Sequence, residues 1–198
     1  MVENEGTPTK ILFENLTRLY KQSQLLLMDA DRLLGERGWE PTNTTAPSGF
    51  SYSLNAPERW YARWAVRFYA PATLESGEPT IDQVLFVSIH FASDQKAGLP
   101  TNVDEPVVSA GRLKYKKPMT AKTASKNYDY YMCKYWFLGE PHPELEGWRR
   151  TVGSKFSENL EGSETFVVPL YDVTSSEKLK ELVIEPLLMV VERQRKDV

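Results

Sequence analysis

The chain has 198 residues, of which 41% are hydrophobic and 26% are charged. This composition is typical of a soluble globular protein, and no stretch approaches the roughly 20 consecutive apolar residues of a transmembrane helix. The net charge of −3, from 24 basic and 27 acidic residues, argues against nucleic acid or a membrane surface as a partner of the whole chain.

The N-terminal residues and the cysteine content indicate a cytoplasmic protein. Residues 1–10, MVENEGTPTK, lack the basic start and apolar core of a signal peptide. Cys133 is the single cysteine, so a disulfide within the chain is excluded. We expect residues 1–198 to form one domain, with residues 1–6 as a disordered tail.

Residues 9–34 predict a long helix, with Pro8 at its first position and Gly35 as a stop signal. At ~1.5 Å per residue this helix is about 39 Å long, more than one sheet strand can cover. Part of its apolar stripe must therefore pack on another helix, in this chain or in a second copy. The main row of the stripe steps by four and three residues, through Leu12, Leu16, Leu19, Ser23, Leu26, Ala30 and Leu33.

Aromatic and β-branched segments bounded by turn-forming residues predict strands after this helix. A short helix is expected over residues 141–150, and a C-terminal helix from Ser175 or Ser176 onward that Pro186 kinks or splits. The predicted fold is α+β, a mainly antiparallel sheet of about five strands with the two long helices packed on one face. The strand segments are residues 60–70, 81–92, 107–117, 128–139 and 164–173.

Alternation along these strands predicts one apolar face and one face that mixes basic and aromatic side chains. Trp60, Trp64, Val66 and Phe68 are expected on the apolar face as core residues. The other face is a candidate site for a small anion or a nucleotide, since guanidinium and ammonium groups bind phosphate or carboxylate and aromatic rings stack on bases. Its residues are Tyr61, Arg63, Arg67, Tyr69, His90, Arg112 and Lys114.

The common catalytic motifs are missing from the sequence, which weakens the case for an enzyme. Only His90 and His142 are present, so a multi-histidine zinc site is excluded, and the acidic residues around His142 are interpreted as a solvated loop. We therefore expect no metal and no cofactor.

The leading hypothesis is a non-enzymatic regulatory or protein-interaction module that binds a partner or itself through residues 9–34. The alternative is a domain that binds a small anion or a nucleotide on the basic and aromatic face. This alternative includes an enzyme.

Overall fold

The computed structural model describes residues 6–42, 47–48, 62, 64–72, 80–91, 105–120, 139–152 and 159–195. Helix α1 (Gly6–Gly35) begins three residues before the predicted start and ends close to the predicted stop. Gly6 is thus helical, and the rest of the expected N-terminal tail lies outside the described residues. A turn with Gly38 at φ 77° leads into the sheet, a backbone conformation that glycine adopts without steric cost.

In the described residues, eight strands form one sheet, and every pairing among them is antiparallel. This confirms the α+β class, but the count exceeds the expected five. Their order is β1-β3-β4-β5-β8-β7-β6, with β2 also beside β3. The strands are β1 (Trp39–Pro41), β2 (Pro47–Ser48), β3 (Trp64–Pro71), β4 (Thr80–His90), β5 (Val107–Thr120), β6 (Glu140–Pro141), β7 (Arg149–Val152) and β8 (Leu160–Pro169).

Four of the predicted strand segments correspond to β3, β4, β5 and β8. The fifth, residues 128–139, lies outside the described residues except for Gly139. The helix predicted for residues 141–150 is wrong, because this segment joins strands β6 and β7 through a turn with Gly147 at φ 77°. Prolines at 141 and 143 deny the chain two backbone donors, which favours the turn over a helix.

The C-terminal helical segment has three consecutive parts: α2 (Ser176–Leu179), a π-helical turn (Lys180–Ile184) and α3 (Glu185–Arg195). Ser175 caps the first part, its side chain accepting a hydrogen bond from the backbone N–H of Lys178. The irregularity predicted at Pro186 takes the form of the π-helical turn just before it. Proline has no N–H to donate to the preceding turn, which explains why regular α-helical bonding is interrupted here.

Apolar clusters cover both faces of the sheet. The larger one joins α1 and the C-terminal segment to Tyr69, Leu85, Val87 and neighbouring residues of the sheet. The second lies on the opposite face and contains Val66 and Phe68 with other residues of β4, β5 and β8. Among the described residues, no helix has the length and apolar character needed to span a membrane.

The strand register corrects the predicted grouping of the faces. Arg67 pairs with Val87 and Tyr69 with Leu85, so these four side chains share the face that the helices cover. Arg112 pairs with Leu85 and lies on the same face. The face predicted to carry Arg67, Tyr69 and Arg112 is therefore the one on which α1 packs. Val66 and Phe68 are buried as expected, but on the other face.

Candidate functional site

The first candidate residues, Arg67 and Tyr69, form a polar cluster with Asp31 beneath helix α1. Arg67 donates twice to Asp31, from Nε to Oδ1 at 3.1 Å and from Nη2 to Oδ2 at 2.6 Å. The Tyr69 hydroxyl donates to Asp31 Oδ1 at 2.9 Å. This two-point pairing of a guanidinium with a carboxylate is a strong form of hydrogen-bonded ion pair. It anchors the second half of α1 to strand β3.

The electrostatics of this cluster keep Arg67 charged and Tyr69 neutral. The hydrogen bonds that Arg67 donates to Asp31 raise the pKa of Arg67 above its usual value, against the opposing effect of burial. Burial, and then the charge of Asp31, raises the pKa of Tyr69 well above 10.0. Tyr69 therefore stays a neutral donor and Arg67 a cation, both directed at a carboxylate of the same chain.

Arg112 belongs to a second polar cluster, at the β5–β8 pairing. Its Nη2 donates to Glu164 Oε2 at 2.5 Å, and Arg112 is only 3% exposed. His142 Nε2 lies 3.6 Å from the other carboxylate oxygen of Glu164. His142 Nδ1 accepts the backbone N–H of Glu144 at 3.1 Å, which holds the ring with Nε2 facing Glu164.

A small cavity of about 100 Å³ adjoins this second cluster. Lys114 lies at its edge and donates to Glu161 at 2.9 Å. Arg112 and Lys114 are thus each paired with a carboxylate, and Arg150 adds a third cation to the lining. Among the described residues that line the cavity, three are cationic and two are carboxylates.

His90 is separate from both clusters, on the opposite face of the sheet, where it pairs with Trp64 across the β3–β4 register. Its Nε2 lies 3.2 Å from Ser88 Oγ and 3.2 Å from Ser109 Oγ. Burial lowers its pKa to about 4, so the ring is neutral near pH 7. A neutral, enclosed imidazole is a structural hydrogen-bonding group and contributes no charge to an anion site.

The predicted anion site is therefore not one surface in the described part of the chain. Arg67 and Tyr69 lie under α1, Arg112 and Lys114 lie at the β5–β8 pairing, and His90 lies on the other face. Tyr61 and Arg63 lie outside the described residues. Asp31 and Glu164, which hold the two arginines, were missed from sequence because single acidic residues in amphipathic elements resemble ordinary surface charges.

Helix α1 presents a different kind of candidate site, a surface that is apolar and exposed. Its second half is buried on one side, at Ser23, Leu27, Ala30, Leu33 and Leu34, while Leu25 and Met28 on the other side are exposed. Its first half exposes three consecutive large apolar side chains, Ile11 (50%), Leu12 (65%) and Phe13 (63%). Leu16 and Leu19 are partly buried between these two regions. We call residues 8–20 of α1 the projecting half.

Tyr20 marks the boundary at which the sheet begins to support α1. Its ring meets that of Phe91 edge to face, with centroids 5.2 Å apart. Its hydroxyl donates to the backbone oxygen of Ala62 at 3.0 Å. Three residues further on, Ser23 is buried, and Leu27 is buried one turn after it, so this side of the helix changes from partly exposed to enclosed within about two turns.

A groove of about 370 Å³ lies beside this boundary, between α1 and the segment that precedes α2. Leu19, Leu25 and Leu26 line one wall, and Leu170 and Tyr171 line the other. Leu25 and Tyr171 are both strongly exposed. The apolar surface of the projecting half is therefore continued by a recess that could hold apolar side chains of a bound molecule.

No family model, curated protein or solved structure matches this chain. In the ranges that the structure describes, no group of three or more histidine, cysteine, aspartate or glutamate side chains is arranged to hold a metal ion.

Proposed function

We propose that this protein is an interaction module whose binding surface is the projecting half of α1 together with the adjoining groove. One observation carries the proposal. The apolar stripe that packs the second half of α1 into the core continues onto the first half, where Leu12 is 65% exposed. Contiguous exposed apolar surface on a globular protein is typical of a binding site.

The exposed apolar side chains at the tip of α1 can contribute binding free energy when a partner buries them. Burying a leucine, isoleucine or phenylalanine side chain stabilises an assembly by about 1.5 to 3 kcal/mol each. Ile11, Leu12 and Phe13 expose half or more of their surface in the isolated chain, so a partner that covers them gains most of that energy. The helix is already formed before binding, which lowers the entropy cost of association.

The alternative, an anion-binding domain, has weaker support from the described residues. Arg67 and Arg112 are each bound to a carboxylate of the chain, Asp31 and Glu164. An added anion would have to displace those carboxylates from enclosed positions. Within the described part of the chain, the cavity beside Arg112 and Lys114 is a place for such a ligand, and a thermal-shift titration with inorganic phosphate is its direct test.

Site-specific photo-crosslinking tests the interaction proposal. The photoreactive residue p-benzoylphenylalanine is introduced in place of Leu12 in the full chain, and the protein is irradiated both purified and in the cells that express it. The matched control carries it in place of Lys21, an exposed residue on the opposite side of α1. Mass spectrometry then identifies every adduct.

We expect discrete adducts from position 12 and none from position 21, because only the first lies on the apolar stripe. Circular dichroism and the melting temperature of both proteins should match wild type. Absence of any adduct at position 12, or equal labelling at both positions, would overturn the proposal. The identity of the adduct, the same chain or another protein, is decided by its mass.

A further inference from the structure

We infer that the occupant of the projecting half is a second copy of this chain, bound through antiparallel pairing of the two α1 helices. This inference rests on the proposed function and specifies its partner. It is drawn from the residue spacing along α1, from where its charges lie, and from where the sheet blocks the seam.

The apolar row of α1 has the spacing of a coiled-coil seam. Steps of four and three residues from Leu12 to Leu33 give the 3.5-residue period at which two helices stay in contact. In the second half, this seam faces the sheet and the C-terminal segment. In the projecting half the same period continues through Leu12, Leu16 and Leu19, where Leu12 is mostly exposed. A second helix is the element that this spacing fits.

The charges of the projecting half favour a second copy as that helix. The positions that flank the seam are uncharged, namely Phe13, Asn15, Tyr20 and Gln22. Flanking positions are where coiled coils select unlike partners by ion pairs and reject like charges. Two copies of α1 therefore meet without repulsion at these flanking positions, whereas a helix selected by charge would find no ion-pair partner there. The charged residues lie outside the seam and its flanks: Lys10, Glu14, Arg18 and Lys21.

The position of the sheet sets the direction of pairing. From Tyr20 onward this side of α1 packs against the rest of the same chain, first on Phe91 and then on the core. A parallel partner helix following the seam would run into that core. An antiparallel partner approaches with its N-terminal end and stops at Tyr20, while its own sheet lies beyond the tip of the first helix.

This geometry defines a register. Antiparallel seams place each apolar position opposite the alternate one of the partner helix. Leu12 of one copy then lies opposite Leu16 of the second, and Leu16 lies opposite Leu12, around a two-fold axis. Leu19 faces the first turn of the other helix, near Thr9. The interface has few layers, so we expect weak, concentration-dependent dimerisation in the micromolar range or above.

Sedimentation velocity of the full chain from about 1 µM to about 1 mM measures this association. The test variant is Leu12→Asp with Leu16→Asp, which places carboxylates in the seam. The control, Thr17→Asp with Gln24→Asp, makes the same charge change at exposed positions outside the seam and its flanks. We expect the test variant to raise the dimer Kd at least about 100-fold while the control stays near wild type. Both variants should keep the wild-type melting temperature measured at the lowest concentration.

Disulfide trapping tests the direction separately, in a background with Cys133→Ser. Antiparallel pairing predicts that a Leu12→Cys protein mixed with a Leu16→Cys protein gives a crosslinked heterodimer, and that neither protein crosslinks efficiently alone. Self-crosslinking of each variant would indicate parallel pairing and would overturn the register. A chain that stays monomeric throughout the concentration range would overturn self-association.

The two proposals fail in different ways. If photo-crosslinking from position 12 yields an adduct with another protein and the chain is monomeric, the interaction module stands and self-pairing is wrong. If position 12 gives no adduct at all, both are wrong. An adduct of twice the chain mass that disappears with Leu16→Asp supports both.

Discussion

The two halves of α1 carry one apolar pattern in two different environments. The second half is enclosed by the sheet and the C-terminal segment, and Asp31 is fixed there by Arg67 and Tyr69. The first half repeats the same spacing but leaves Leu12 and Phe13 exposed. The comparison shows that a helical apolar stripe specifies contact with something, without specifying whether that contact lies within the chain or outside it.

The sharpest way to separate the halves is to truncate one leucine in each. Leu34 is fully buried, so Leu34→Ala should lower the free energy of unfolding by about 4 kcal/mol through lost burial and the cavity left behind. Leu12→Ala, at the exposed end, should change it by less than about 0.5 kcal/mol at low protein concentration. Denaturant unfolding of both variants measures the difference. Similar losses in the two would show that the tip is packed after all.

The ion pair that anchors the second half of α1 can be removed by a substitution that keeps the shape of the Asp31 side chain. Asp31→Asn leaves Arg67 enclosed without its carboxylate, so we expect a loss of about 3 kcal/mol in unfolding free energy. The control is Asp29→Asn, whose carboxylate is half exposed and lies 3.9 Å from Arg32, with an expected change within about 0.5 kcal/mol. Equal effects of the two would contradict a structural role for the Asp31 cluster.

Acid should weaken the sheet that supports the second half. The pKa of His90 is about 4 in the folded chain and near 6.5 when unfolded, so the unfolded chain takes up the proton first as pH falls. The contribution of neutral His90 to the free energy of unfolding is fully present above pH 6.5 and declines as the pH falls toward 4. We expect the free energy of unfolding to fall by about 2 kcal/mol between pH 7 and pH 5. Urea unfolding across this range measures the slope. In His90→Gln, a slope as steep as that of wild type would remove His90 as the cause.

The smallest expected effect lies at the boundary between the halves. Tyr20→Phe keeps the ring against Phe91 but loses the hydrogen bond to the Ala62 oxygen, which should cost about 1 kcal/mol. Tyr171→Phe removes a hydroxyl from a mostly exposed ring and serves as the control, with no measurable change. A Tyr20→Phe variant as stable as this control would mean that support for α1 begins further along the helix.

Sequence periodicity predicted the elements of this fold better than their surroundings. Helix α1 and strands β3, β4, β5 and β8 follow from residue spacing and composition. Strands β6 and β7 were missed because they are short and mostly polar. Strand β6 has two residues and β7 has four, too few to show a periodic pattern. The prediction of one apolar face and one basic, aromatic face failed for a different reason. Residues 84–90 of β4 are buried on both sides of the sheet, and alternation is uninformative where neither face is exposed to water.

The candidate surfaces were predictable only in part. The length of the apolar stripe along residues 9–34 indicates that part of it must pack on another helix. Which half of α1 packs within its own chain depends on where the sheet ends. The basic residues were recognised, yet their carboxylate partners come from α1 and β8, far away in sequence. Pairing of this kind depends on tertiary structure, and no local pattern encodes it.

The continuity of α1 has a mechanical consequence. Between Pro8 and Gly35 the helix contains neither glycine nor proline, and its 30 residues form one rod of about 45 Å. A rod clamped along one half behaves as a stiff lever. Whatever is held at its tip is therefore held at a fixed angle to the sheet, and a pull on the tip is transmitted as torque to the clamp at Asp31 and Arg67.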